Sequence, residues 1–116
     1  MKIAVIGTGY VGLVAGACFA DIGNHVVCVD IDEDKISKLN SNVIPIYEPG
    51  LENLVVKNKR EGRLKFTADL KKAIKESDII FICVGTPPKE NGEVDLSYVE
   101  NVARTIAEVM DSYKVI

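Results

Sequence analysis

Three glycines, Gly7, Gly9 and Gly12, follow the short β-branched and apolar run at residues 2–6 with the spacing G-x-G-x-x-G. An alanine- and glycine-rich apolar segment runs on to about Ile22, Gly23-Asn24 interrupt it, and a second apolar run from His25 to Val29 ends at Asp30. In order, this reads as strand, tight turn, helix, turn, strand, acid. Gly7 lets the chain turn sharply out of the strand, and Gly9 carries no side chain to hold a pyrophosphate off the backbone. Gly12 is expected to let the helix lie close on the sheet. The first N–H groups of that helix have no partners within it and carry the positive end of its dipole, which suits a pair of phosphates. Asp30 stands 23 positions after Gly7, close to the spacing of about 20 at which a ribose-binding acid is expected. Its carboxylate accepts from ribose hydroxyls and repels a 2′-phosphate, so NAD is favoured over NADP.

The rival reading of this stretch is a secretory leader: Lys2, an apolar run and the small residues Gly16-Ala17-Cys18. Four glycines break that run, its positive region is one lysine, and it leads into a second strand, so the leader is rejected. No other segment nears 20 uninterrupted apolar residues, which disfavours a membrane span and makes the cytoplasm the expected location. With 116 residues, 47% hydrophobic and 27% charged, the chain is expected to form one domain, residues 1–116. A net charge of −3 without a basic stripe argues against nucleic acid as a partner. Cys18, Cys28 and Cys83 sit in apolar runs with no paired spacing, and read as reduced thiols of the core. No acid, histidine or second cysteine is near enough in sequence to suggest a nucleophile or metal site. The lone His25 reads as a half-exposed residue opening a strand.

Further along, Asp32 is expected to cap a helix over 33–40 bearing Ile36 and Leu39 on one face. Lys35, in its first turn, is either a solvated surface lysine or a neighbour of the ribose, and its position does not decide between them. The loop SNVIPIYEPG (41–50) is apolar for a connection, so it either packs over the sheet edge or lines a crevice. A helix over 51–60, a short strand at 64–67 and an Asp69-capped helix to about Lys75 follow. The run DIIFICV (78–84) has the length and continuous apolarity of a strand covered on both faces. Being parallel to the first strand, it delivers Gly85-Thr86-Pro87-Pro88 to the same carboxyl edge, where the Thr86 hydroxyl can reach a dinucleotide; the alternative is a plain connection. Asp95 or Ser97 is expected to cap a last helix, and Tyr113–Ile116 to begin another strand. The fold class is therefore α/β, a Rossmann-type doubly wound parallel sheet truncated after roughly its first half.

Taken together, MKIAVIGTGYVGLV, VVCVDID with Lys35, IPIYEPGL, IFICVGTPP and DLSYVE make the chain resemble the amino-terminal NAD-binding domain of the UDP-glucose 6-dehydrogenase family, with GDP-mannose dehydrogenases as near relatives. The resemblance covers essentially all 116 residues, and IPIYEPGL and VGTPP set it apart from other dinucleotide-binding domains. It implies a two-step, NAD-dependent oxidation of the C6 alcohol of a UDP-sugar, UDP-glucose to UDP-glucuronate, in nucleotide-sugar metabolism and polysaccharide biosynthesis. It also implies that Val11 touches the cofactor at the turn, that Asp30 and Lys35 hold the adenosine ribose, and that Thr86 approaches from the fourth strand's loop. Tyr10 is a candidate on the nicotinamide side. The catalytic cysteine and the sugar-nucleotide domain of that family lie beyond residue 116, and none of Cys18, Cys28 or Cys83 matches the cysteine's position. The resemblance therefore implies that these residues alone are not catalytically competent, and that the full-length enzyme is a homo-oligomer. A freestanding NAD-binding module without catalysis, or the cofactor domain of another NAD-dependent dehydrogenase, is the alternative. IPIYEPGL weighs against a 2-hydroxyacid-type enzyme.

Overall fold

The computed structural model describes residues 1–116. In chain order the elements are β1 (Lys2–Ile6), α1 (Tyr10–Asp21), β2 (His25–Val29), α2 (Glu33–Asn40), α3 (Leu51–Arg60), β3 (Leu64–Thr67), α4 (Leu70–Glu76), β4 (Ile79–Ile82) and α5 (Ser97–Val109). The four strands form one parallel sheet in the order β3-β2-β1-β4. Successive side chains of a strand point to opposite faces, so β1 sends Ile3 and Val5 to one side and Ala4 and Ile6 to the other. The first pair joins Leu13 and Ala17 of α1, Ile36 and Leu39 of α2, and Leu51 and Val55 of α3. The second joins Ala73 and Ile74 of α4 and Val102 and Ile106 of α5. The result is a three-layer α/β/α sandwich with its carboxyl-end loops on one rim. No helix is long and apolar enough to cross a membrane.

Local chemistry sets the element ends. The Asp32 carboxylate accepts from the Lys35 N–H at 3.1 Å, and Asp69 accepts from Lys72 N–H at 3.1 Å, so both expected caps form. Asp95 accepts from the Ser97 N–H at 2.9 Å, one residue ahead of the cap position of α5, which Leu96 occupies. The loop 41–50 tucks Ile44 and Ile46 against the α1-side core. It does not line the crevice described below.

Two expectations are corrected. Cys18 is exposed, because it lies on the outer face of α1; only Cys28 is fully buried, and Cys83 is partly so. β4 is not covered on both faces: Phe81 is 37% exposed, since β4 lies at one end of the sheet, and it packs against Phe19 of α1 with ring centroids 4.9 Å apart. The strand expected to begin over Tyr113–Ile116 is present as a single parallel bridge, Val115 to Ile79. Beside it, Lys114 is buried, and its ammonium donates to the carbonyls of Ser77 at 2.6 Å and Lys75 at 3.2 Å. A cation there satisfies carbonyls at the end of α4, where the helix dipole is negative. Lys114→Met keeps the stem but removes both bonds, and is expected to cost about 2 kcal/mol, read from the urea midpoint. A loss under about 0.5 kcal/mol, the range of an ordinary surface change, would show that the lysine anchors nothing.

Candidate functional site

The glycine turn is built by close backbone contacts. Gly7 has a φ of +106°, its N–H donates to the Val29 carbonyl at 2.7 Å, and a Cβ there would lie 2.4 Å from the Cys83 carbonyl oxygen. Gly12 presses on the turn itself: a Cβ would lie 1.8 Å from the Gly7 carbonyl oxygen. Gly12 lets α1 lie close on the sheet as expected, since its Cβ would also come within 3.3 Å of the Cys83 Cβ just after β4, and Gly16, one turn later, makes a second close approach, with a Cβ 2.4 Å from the Cys28 sulfur. Gly9 is different. It heads α1 with an ordinary φ of −75°, and a Cβ there would meet nothing within 4 Å. No side chain caps α1 and no acid stands in its first turn, so its first N–H groups open onto space.

That space belongs to a crevice of about 800 Å³ along the carboxyl rim. Gly7, Gly9, Tyr10 and Val11 form one wall with Thr8, Asp30 and Lys35 reach it from β2 and α2, and Thr86 lines it from the loop after β4. Seven of the eight residues singled out in the sequence thus meet in one cavity, and the eighth, Gly12, lies buried beneath the turn. Tyr10 and Val11 are 60% and 72% exposed. Sequence reasoning missed Thr8, and it missed the far wall: Ile31, Leu70, and Tyr98, Asn101 and Thr105 on α5. The α5 residues recur at spacings of three and four, which puts them on one helix face, and that pattern was available as a signal. A smaller hollow of about 260 Å³ at the opposite rim, lined by Lys2, His25 and Arg63 among others, has neither a glycine turn nor a helix amino end.

The acid of the crevice is firmly held. Asp30 Oδ2 accepts from the Thr8 hydroxyl at 2.7 Å and the Thr8 N–H at 3.1 Å, while Oδ1 accepts from the Asp32 N–H at 3.0 Å. The Lys35 ammonium stands 3.7 Å from Oδ2. Partial burial works to raise the Asp30 pKa, but the bonds from Asp32 and Thr8 and the charge of Lys35 outweigh it, so the carboxyl sits below its ordinary value. It is an anion at neutral pH. The thiols differ: burial, with a further push from Cys83, raises Cys28 to about 12, and burial also raises Cys83. Neither is poised as a thiolate.

These features fit a dinucleotide. The open volume above Gly9 lets a pyrophosphate reach bare helical N–H groups, and an ionised acid lies across the turn as a hydroxyl acceptor. Residues 1–116 also match the profile of the UDP-glucose/GDP-mannose dehydrogenase family, NAD binding domain. The chain belongs to this family. It is 64% identical to the UDP-glucose 6-dehydrogenase TuaD of Bacillus subtilis over 115 residues, which is 99% of this chain and 25% of that protein. Among solved structures, a ternary complex of GDP-mannose dehydrogenase from Pseudomonas aeruginosa superposes with a TM-score of 0.88 at 48% identity, covering 91% of this chain and 24% of that one. A UDP-D-ManNAc dehydrogenase from Pyrococcus horikoshii gives 0.91 at 41% identity, covering 98% and 27%. The chain spans about a quarter of the length of the relatives it matches. Its cofactor is NAD, and its sheet is the amino-terminal part of their α/β fold.

Proposed function

We propose that these residues are the cofactor-holding part of a UDP-glucose 6-dehydrogenase, which oxidises the C6 alcohol of the sugar to a carboxylate in two NAD-dependent steps. The observation that carries the reading is the open space at Gly9, between an uncapped helix end and the anchored Asp30. Bound NAD supplies the hydride acceptor. The Gly7–Gly12 turn receives the pyrophosphate on backbone N–H groups, with Tyr10 and Val11 at its lip. Asp30 accepts from the adenosine ribose and disfavours a 2′-phosphate by charge, Lys35 donates to the same sugar, and Thr86 meets the cofactor from the β4 side. The 48% identity to a GDP-mannose dehydrogenase and the 64% identity to a UDP-glucose enzyme favour the glucose substrate.

Exposed Cys18 lies on the outer face of α1, and the other two thiols are held protonated by burial. None of the three stands in for the catalytic cysteine, which the family resemblance implies lies beyond residue 116. The longer enzyme acts as a cytoplasmic homo-oligomer in polysaccharide biosynthesis.

Two measurements test this. Asp30→Ala is expected to weaken NAD binding by about 1–3 kcal/mol, the value of bonds to a charged group; an unchanged titration removes Asp30 from the site. Native protein from its source is expected to have a mass several times that of the 116 residues, and to release two NADH per UDP-glucose consumed. One NADH per sugar, or none, overturns the assignment.

A further inference from the structure

The residue between the first two glycines is 1% exposed and spends both of its donors on one oxygen atom. We propose that Thr8 is a positioning residue that locks the Asp30 carboxylate and couples the pyrophosphate turn to the ribose acid. The inference rests on the reading of Asp30 as the ribose acceptor.

A carboxylate offers about four lone-pair positions. Two on Oδ2 are taken by Thr8, and one on Oδ1 is taken by the Asp32 N–H. A single Oδ1 position stays open to an incoming hydroxyl, while the Lys35 ammonium at 3.7 Å supplies charge rather than a close bond. The terminal torsion of an aspartate is intrinsically broad, so an acid held only by the N–H groups of Asp32 and Thr8, at 3.0 and 3.1 Å, would turn more freely. The 2.7 Å bond from the Thr8 hydroxyl is charge-assisted and short, and it stops that rotation before any ligand arrives. Because Thr8 is flanked by Gly7 and Gly9, the same bond ties the loop that receives phosphate to the residue that receives ribose. A shift in one is carried to the other. Preorganisation of this kind raises affinity by removing an ordering cost at the moment of binding.

The test is calorimetric titration of NAD into the parent chain, Thr8→Val, Thr8→Ser, Asp30→Ala and the Thr8→Val/Asp30→Ala double variant, with a thermal melt of each. Thr8→Val should bind about tenfold more weakly, as for loss of one bond to a charged group. Thr8→Ser, which restores the hydroxyl, should return to within about twofold of the parent. In the Asp30→Ala background Thr8→Val should add no more than about twofold, because coupled residues are not additive. Should Thr8→Val fail to fold, Thr8→Ala removes the hydroxyl without a second methyl and takes its place. Parent-like binding by Thr8→Val while Asp30→Ala is weak overturns the inference alone. So does a full tenfold loss in the Asp30→Ala background. Parent-like binding by Asp30→Ala removes the acid from the site, and the inference falls with it.

Discussion

A Gly9→Val variant is expected to fold almost as well as the parent and to bind NAD at least about a hundredfold more weakly, a loss near 2.8 kcal/mol. The two halves of that statement come from separate observations. Gly9 has a φ of −75° that any residue adopts, and its missing Cβ would touch nothing within 4 Å, so the fold does not need glycine there. Valine is a poorer residue than glycine at a helix start, which limits the change in stability to about 1 kcal/mol or less. Yet the isopropyl group fills the volume above the first N–H groups of α1, where an anion has to sit to use them. Chemical denaturation and a titration with NAD read the two effects independently. A variant that folds and binds like the parent would show that the turn does not seat the pyrophosphate.

Gly12→Ala should damage the fold itself. In an ordinary helix interior this change stabilises by roughly 0.5–1 kcal/mol. Here the new methyl would lie 1.8 Å from the Gly7 carbonyl oxygen and 2.9 Å from its carbon, and both are backbone atoms that cannot rotate away. Relief requires α1 to lift from the turn, and with it the packing of Leu13 and Ala17, both fully buried. The steric term decides the sign. The expected loss is about 3 kcal/mol, the upper end for overpacking, with NAD binding lost because the turn itself is displaced. Stability equal to or above the parent's in a urea series would mean that helix and turn do not meet at this contact.

The contrast between these two glycines shows what the sequence could and could not disclose. The spacing of Gly7, Gly9 and Gly12 and the acid at position 30 are local patterns, and β1, β2 and the crevice wall at Asp30 follow from them. Asp32 and Asp69 cap as expected because capping joins residues three apart. The second close approach of the helix was not legible, since Gly16 meets Cys28 from another element. The exposure of Phe81 was hidden for the same reason: an apolar run reports that a strand is apolar, not how many neighbours it has in the sheet. Thr8 was missed because the position between two glycines is written as any residue, and its partner lies 22 positions away. Tyr98, Asn101 and Thr105 line the crevice through the docking of α5 on the sheet, which no local pattern discloses.

The central place of β1 in the sheet bears on how the molecule is made. β1 precedes the other strands on the ribosome, but its register joins Ile3 to Val26 on one side and to Ile79 on the other. One edge of the nascent sheet thus stays bare until β4 has followed, and such distant pairings are slow to form. The same delay governs ligand competence, because Gly7 is wedged against the backbone of Cys83, just after β4. Stalled chains ending before Cys83 are expected to gain no protease protection from NAD, whereas chains released past α5 gain it in full. Protection of the shorter chains would mean that the glycine turn sets itself without its late-arriving neighbour.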